Sequence, residues 1–257
     1  MRYFIHLSFN GTNYHGWQIQ KNAPGVQAFV QEALSRILGN ATAVTGCGRT
    51  DAGVHARDFR AHFNYSDNPL DCDLLTYKVN AILPQDIHIN GIFPVPENLH
   101  ARFHATGRTY RYFIRTTKEP FLKEFSAAPG TYADKLPDME LMNHAAALLV
   151  GTHDFTSFAK LHSTTKTNIC TVTEAFWFTT VPEFAIEPLW VFQVTANRFL
   201  RDMVRCMVGT LLEIGKKKKP VEWILQLITE KNRSFAGYSV PAEGLFLWEV
   251  TYDTFKQ

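Results

Sequence analysis

The chain lacks any paired-cysteine spacing: its four cysteines, Cys47, Cys72, Cys170 and Cys206, stand apart with no CxxC among them. That argues against a zinc site, and a chain of 257 residues needs no disulfide framework to fold. No apolar run approaches the ~20 residues that cross a bilayer. No signal peptide opens the chain, because Met1-Arg2-Tyr3-Phe4-Ile5-His6-Leu7 leads straight into strand-like sequence. These absences imply a soluble, reducing, cytoplasmic setting without membrane contact. Net charge is scarce too, at +2, so bulk electrostatics alone do not mark a nucleic-acid binder.

Hydrophobic residues make up 46% of the chain, enough for one large domain or two modest ones. The small net charge hides a segregation. Residues 99–126 carry six Lys or Arg against two acidic residues, and residues 198–219 carry seven against two. Such clusters form either a basic face able to meet phosphates or ordinary solvated charge.

Periodicity gives a coarse fold. Residues 3–9 are strand-like. Val26, Phe29, Val30, Ala33, Leu34, Ile37 and Leu38 recur at helical spacing before a stop at Gly39-Asn40. A strand through Phe59, Ala61 and Phe63, a helix over 73–83 and a strand over 87–95 follow. The second half offers a strand over 109–115, a helix over 137–150, paired strands over 171–179 and 189–196, helices over 199–214 and 221–229, and a last strand over 245–252. Strands and helices mix without a βαβ rhythm, which predicts an α+β fold with a mainly antiparallel sheet. No low-complexity linker divides the chain, and any boundary falls near 98–106, giving halves 1–105 and 106–257.

Three segments carry the chemistry. Gly46-Cys47-Gly48-Arg49-Thr50-Asp51-Ala52-Gly53-Val54-His55-Ala56 sets one carboxylate among glycines, with Arg49, His55 and Arg57 near it. It is neither a phosphate-binding loop nor a nucleophile elbow, since no Lys-Ser/Thr follows the glycines and no Ser sits at the centre. Asp51 is either a turn residue or a group presented to a ligand. Tyr110 lies on a strand near Arg108 and Arg111, as core or as a platform for a base. Arg198, Arg201 and Arg205, at i, i+3 and i+7, are predicted to share one helical face beside an apolar stripe. Arg205, nearest the stripe, wants a carboxylate; Asp51 is one candidate and Asp202 the local competitor. Lys216 to Lys219 suit either a helix C-terminus or RNA. His153-Asp154 and His162 lack the spacing of metal ligands, so no metal is expected.

Together these segments resemble the tRNA pseudouridine synthase A (TruA) family, nearly end to end. The motifs are Phe9-Asn10-Gly11-Thr12-Asn13-Tyr14-His15-Gly16-Trp17-Gln18-Ile19-Gln20 with Gly25-Val26-Gln27, and the Gly48–Ala56 loop. Arg102-Phe103 with Ala105, Tyr110-Arg111-Tyr112, Gly151-Thr152-His153-Asp154-Phe155 and Phe199–Arg205 complete the set. The resemblance implies a pseudouridine synthase fold of two similar halves around a central sheet, with a cleft between them. It implies a homodimer without cofactor or metal that isomerises uridine at positions 38, 39 and 40 in the anticodon arm of tRNA. By it, Asp51 is the catalytic aspartate, as nucleophile or base, Tyr110 packs on the target uracil, and Arg205 pairs with Asp51. Arg49, His55, Arg57, Arg108, Arg111, Arg198 and Arg201 are the candidate RNA contacts. The chain departs from the family at Cys47, where Ser is frequent, at Gly25, where Thr commonly precedes Val-Gln, and at Asn168, where an arginine is usual. A tRNA-binding or tRNA-folding protein without catalysis, and a hydrolase using one carboxylate, are the rival classes. Retention of Asp51 with Tyr110 and Arg205 disfavours the first, and the lack of a second acid disfavours the second.

Overall fold

The computed structural model describes residues 1–128, 136–161, 166–183 and 185–253. Among them the fold is α+β, with a mixed sheet and five α-helices. The chain forms two compact units, Met1–Thr106 with Phe246–Gln257, and Gly107–Leu245. The final strand thus belongs with the N-terminal unit.

In the first unit, β1 (Arg2–Phe9), β2 (Thr45–Gly46), β3 (His55–Asn64) and β4 (Ile87–Val95) pair antiparallel, with β1 between β3 and β4 and β2 on β3. β9 (Leu245–Tyr252) joins β3 in parallel through His55 opposite Phe246 and Ala56 opposite Leu247. So short a ladder is reinforced from a side chain: the Asp58 carboxylate accepts from the Val250 amide at 3.1 Å. Tyr3, Phe4, Ile5, Leu7 and Phe9 of β1 are all buried, so this strand is the spine of the core. Helix α1 (Val26–Leu38) ends on Gly39 in the left-handed region, as the Gly-Asn stop predicts. Its start has no side-chain cap. Val26 and Gln27 instead donate to the carbonyls of Gly16 and Trp17, at 3.1 and 2.9 Å, so Gly25 leaves no orphan there. Helix α2 (Cys72–Ile82) is capped by Asp71, whose carboxylate accepts from the Leu74 amide.

In the second unit the strand order is β5 (Ala105–Arg115), β8 (Leu189–Ala196), β7 (Ile169–Thr180) and β6 (Gly151–Asp154), each pair antiparallel. The Thr152-His153-Asp154 stretch thus lies on an edge strand. Helices α3 (Met139–Ala147), α4 (Met203–Gly215) and α5 (Trp223–Glu230) supply the apolar cover. Helix α3 starts later than the periodicity predicts because Asp138 caps it, accepting from the Leu141 amide at 3.2 Å. Helix α4 is almost wholly buried and also begins late, because Asp202 sits in the left-handed region with φ 67°.

Candidate active site

The loop bearing Asp51 is held from beneath by the residues that open the chain. Gly53 donates to the Tyr14 carbonyl at 3.1 Å, and Trp17 donates its amide to Thr50 Oγ1 at 3.0 Å. Backbones meet almost directly on either side of Asp51. A methyl on Gly11 would lie 2.0 Å from the Val54 carbonyl oxygen, and one on Gly16 would lie 2.1 Å from that of Thr50. Within the loop, Val54 donates to the Asp51 carbonyl at 3.2 Å, so Asp51 does occupy a turn, with its side chain half-buried. Gln27 adds a strut: its side chain donates to the Val44 carbonyl at 2.7 Å and accepts from the Ile19 amide at 3.0 Å. The motif between Phe9 and Gln27 is thus a cradle for the loop. The sequence signal for it was two glycines close to a tryptophan in an otherwise ordered segment.

The loop's other residues divide. Arg49 and Arg57 are exposed, and the Arg57 guanidinium lies 4.8 Å over the Trp248 ring. His55 corrects the expectation that it meets RNA. It is 1% exposed, accepts from the Gly11 amide on Nδ1 at 3.0 Å, and stacks on Phe246 at 4.5 Å. A ring held so has no face left for a strand; it fixes the loop to β9 and to the cradle. Cys47 is also 1% exposed, its amide donating to the Arg60 carbonyl, so it fills space beneath the loop.

In the second unit Tyr110 is half-buried, its ring edge-on to Phe199 at 5.0 Å. Tyr112, two residues on and so on the same face, is fully buried. Its hydroxyl donates to the Pro241 carbonyl at 2.8 Å, and burial raises its pKa far above the ordinary tyrosine value. Arg108 donates to the Asn197 carbonyl at 2.7 Å. Arg111 projects from the opposite face to Tyr110, donating to Gln193 Oε1 at 2.8 Å and lying 5.4 Å over Phe178. It therefore does not flank the tyrosine.

The three-arginine stripe is corrected as well. Arg198 and Arg201 precede α4, because the left-handed Asp202 interrupts the helix, and only Arg205 lies in its first turn. Arg205 is 22% exposed and held at two atoms: Nε donates to the Val240 carbonyl at 2.6 Å and Nη1 pairs with Asp202 at 3.2 Å. Asp202 also accepts from the Ser239 hydroxyl, and Arg233 donates to that hydroxyl at 3.0 Å. The local competitor for Arg205 is thus engaged. The run Lys216 to Lys219 is partly spent locally: Lys217 pairs with Asp138, Lys218 with Glu213, and Lys219 lies over Trp223. Asn168 donates to Thr156 Oγ1 at 2.8 Å.

The segment that supports Arg205 rests on a helical glycine. A methyl on Gly209 would lie 1.9 Å from the Tyr238 carbonyl oxygen, two residues before Val240. Gly209→Ala is expected to destabilise the second unit by about 2–4 kcal/mol, as overpacking against backbone does. Chemical denaturation checks this; an unchanged midpoint would refute the close approach.

Among the described residues no group of three or more His, Cys, Asp or Glu could hold a metal ion, and no helix is long and apolar enough to cross a membrane. His162 lies outside the described residues. The clearest histidine shift is away from the loop. His62 accepts from the Ala101 amide at 3.2 Å and is held down to about 4 by burial, then by Arg2 and His100. His6, by burial and then Arg60, and His100, by burial and then Arg2, are lowered in the same sense. The unfolded chain takes up these protons near 6.5. The stability they contribute is therefore whole above pH 6.5 and lost as pH falls toward about 4. For His62 the loss is of order 1–2 kcal/mol, after discounting for solvent that still reaches the ring. Denaturation midpoints taken across that window should fall with pH, and less steeply in His62→Gln.

A family model described as tRNA pseudouridine synthase matches residues 145–253. The likeness to curated proteins is longer. The chain is 47% identical over 252 residues to tRNA pseudouridine synthase A of Bacteroides fragilis, covering 98% of this chain and 96% of that one. It is 47% identical to that of Porphyromonas gingivalis, covering 98% and 97%. With that of Pseudoalteromonas atlantica it shares 39% identity, covering 98% and 92%. Likeness at this level, running through the cradle, the Asp51 loop, the Tyr110 strand and the Arg205 helix, places the chain in the tRNA pseudouridine synthase A family.

Proposed function

We propose that the protein converts uridine to pseudouridine in tRNA, at positions 38, 39 and 40 of the anticodon arm. It does so as a homodimer in the cytoplasm. The observation that carries this reading is the near full-length likeness to proteins named tRNA pseudouridine synthase A, together with a single carboxylate on a loop that the rest of its unit holds in place.

The reaction is an isomerisation and balances without a cofactor. The C1′–N1 bond breaks, the uracil turns, C5 bonds to C1′, the C5 proton leaves and N1 gains one. A stacked base cannot turn, so the uridine is first flipped out, at a cost of about a few kcal/mol. Asp51, ionised, acts on the sugar as nucleophile or on a proton as base. Tyr110 packs on the uracil, a role that needs no unusual ionisation. Arg205 supplies the cation that pairs with Asp51, and its tether to Val240 and Asp202 keeps it from wandering when the base enters. Arg49, Arg57, Arg108, Arg198 and Arg201 meet the phosphates.

The test is to incubate the protein with unmodified tRNA and map pseudouridine base by base. New pseudouridine at 38 to 40 supports the reading. None there, with tRNA bound, overturns it in favour of a tRNA-binding protein.

A further inference from the structure

Asp86 stands between α2 and β4, outside every motif singled out above, yet it gathers three bonds from the segment that cradles the Asp51 loop. Its backbone carbonyl accepts from the Asn10 amide at 2.9 Å. One carboxylate oxygen accepts from the Tyr14 hydroxyl in a close bond, and the other accepts from Asn13 Nδ2 at 3.2 Å. Tyr14 is buried, edge-on to Phe29 of α1 at 5.5 Å, and its pKa is raised by burial and by Asp86, so its hydroxyl stays a donor. The same Tyr14 offers its carbonyl to Gly53, two residues past Asp51.

We infer that Asp86 is a positioning residue for the reaction: it clamps Asn13 and Tyr14, and through the Tyr14 carbonyl it fixes the height of the loop that carries Asp51. This rests on Asp51 being the catalytic carboxylate. The clamp acts at a distance in sequence but through two hydrogen bonds that share Tyr14: its hydroxyl to Asp86, and the Gly53 amide to its carbonyl. Both carboxylate oxygens are used, and Asp86→Leu, of similar size, removes both acceptors. Asp86→Asn keeps both arms: its oxygen accepts from Tyr14, and its amide donates to Asn13 once that side chain turns over to present Oδ1.

The experiment measures kcat, KM and melting temperature on tRNA for Asp86→Leu, Asp86→Asn, Tyr14→Phe and Asp51→Ala. The expected result is a kcat about tenfold lower in Asp86→Leu and in Tyr14→Phe, the scale of a small misplacement of a reacting group. KM should stay within about twofold of wild type, and Asp86→Asn, which keeps both bonds, should retain most of kcat. Leu75→Ala, a core truncation in the same unit, serves as the stability control. If it lowers the melting temperature as much and lowers kcat equally, the role is structural and the inference fails. Should Asp86→Leu not fold, Tyr14→Phe carries the test alone, and wild-type kcat there overturns the clamp. An active Asp51→Ala would sink the catalytic assignment itself. An inactive Asp51→Ala with wild-type kcat in the clamp variants would sink only the inference.

Discussion

Asp51→Ala is expected to lower pseudouridine formation by about three orders of magnitude or more while tRNA affinity changes by no more than a few-fold. The split follows from where each free energy arises. Binding comes mostly from cations on phosphates, and Asp51 supplies none of that; if anything, removing an anion eases approach of the backbone. Rate, under the proposal that Asp51 is the catalytic carboxylate, answers to it far more, because removing a group that acts at the reacting atoms costs far more than removing a packing contact. Affinity in both proteins should fall with rising salt along parallel lines, because the same phosphates are neutralised. Asp51→Asn is the sharper variant, since it keeps the shape of the turn and the Val54 to Asp51 backbone bond. Product formed at wild-type rates by either variant would remove Asp51 from the chemistry. Affinity lost in parallel with activity would make it a binding residue.

What the sequence disclosed, and what it withheld, follows the range of the forces involved. Helix α1 and its stop at Gly39 were legible because period, propensity and a left-handed glycine act within a few residues. The β5, β7 and β8 strands were legible for the same reason, from alternation. The start of α4 was not. The apolar pattern runs unbroken through Phe199 and Leu200, and the interruption at Asp202 is fixed by Arg205, Ser239 and Arg233, two of them more than thirty residues away. The edge strand β6 was hidden because its four residues, Gly151 to Asp154, offer no apolar alternation and pair with β7 alone among the described strands. At the loop, Asp51 stands out in the sequence, whereas the burial of His55 does not. A histidine beside a carboxylate reads as functional, and nothing local announces that Gly11 and Phe246 enclose it. The cradle itself was visible only as a motif. Why Gly11 and Gly16 must be glycine depends on Val54 and Thr50, which the fold alone brings near.

Gly16→Ala is the substitution expected to damage activity most without touching a group that meets substrate. Two costs combine. Gly16 has φ +82°, where an alanine is strained by roughly 1 kcal/mol. Its methyl would also lie 2.1 Å from the Thr50 carbonyl oxygen and 3.1 Å from the Asp51 carbonyl carbon, contacts with backbone that no rotamer can relieve. Either the loop lifts away from the cradle or the cradle shifts, and in both cases Trp17 loses its bond to Thr50 Oγ1 and α1 loses the Gly16 carbonyl at its start. A displacement on the scale of 1 Å at a reacting carboxylate costs about a hundredfold in rate, so kcat should fall by that order with the protein still folded. Gly39→Ala separates the causes. Gly39 has φ +74°, almost the same strain, but nothing lies within 4 Å of the added methyl. It should lower the melting temperature by a few degrees and leave kcat unchanged. Equal losses of activity in the two variants would show that strain rather than contact with the Asp51 loop is responsible. A Gly16→Ala enzyme with wild-type kcat would mean the loop does not depend on the cradle at all.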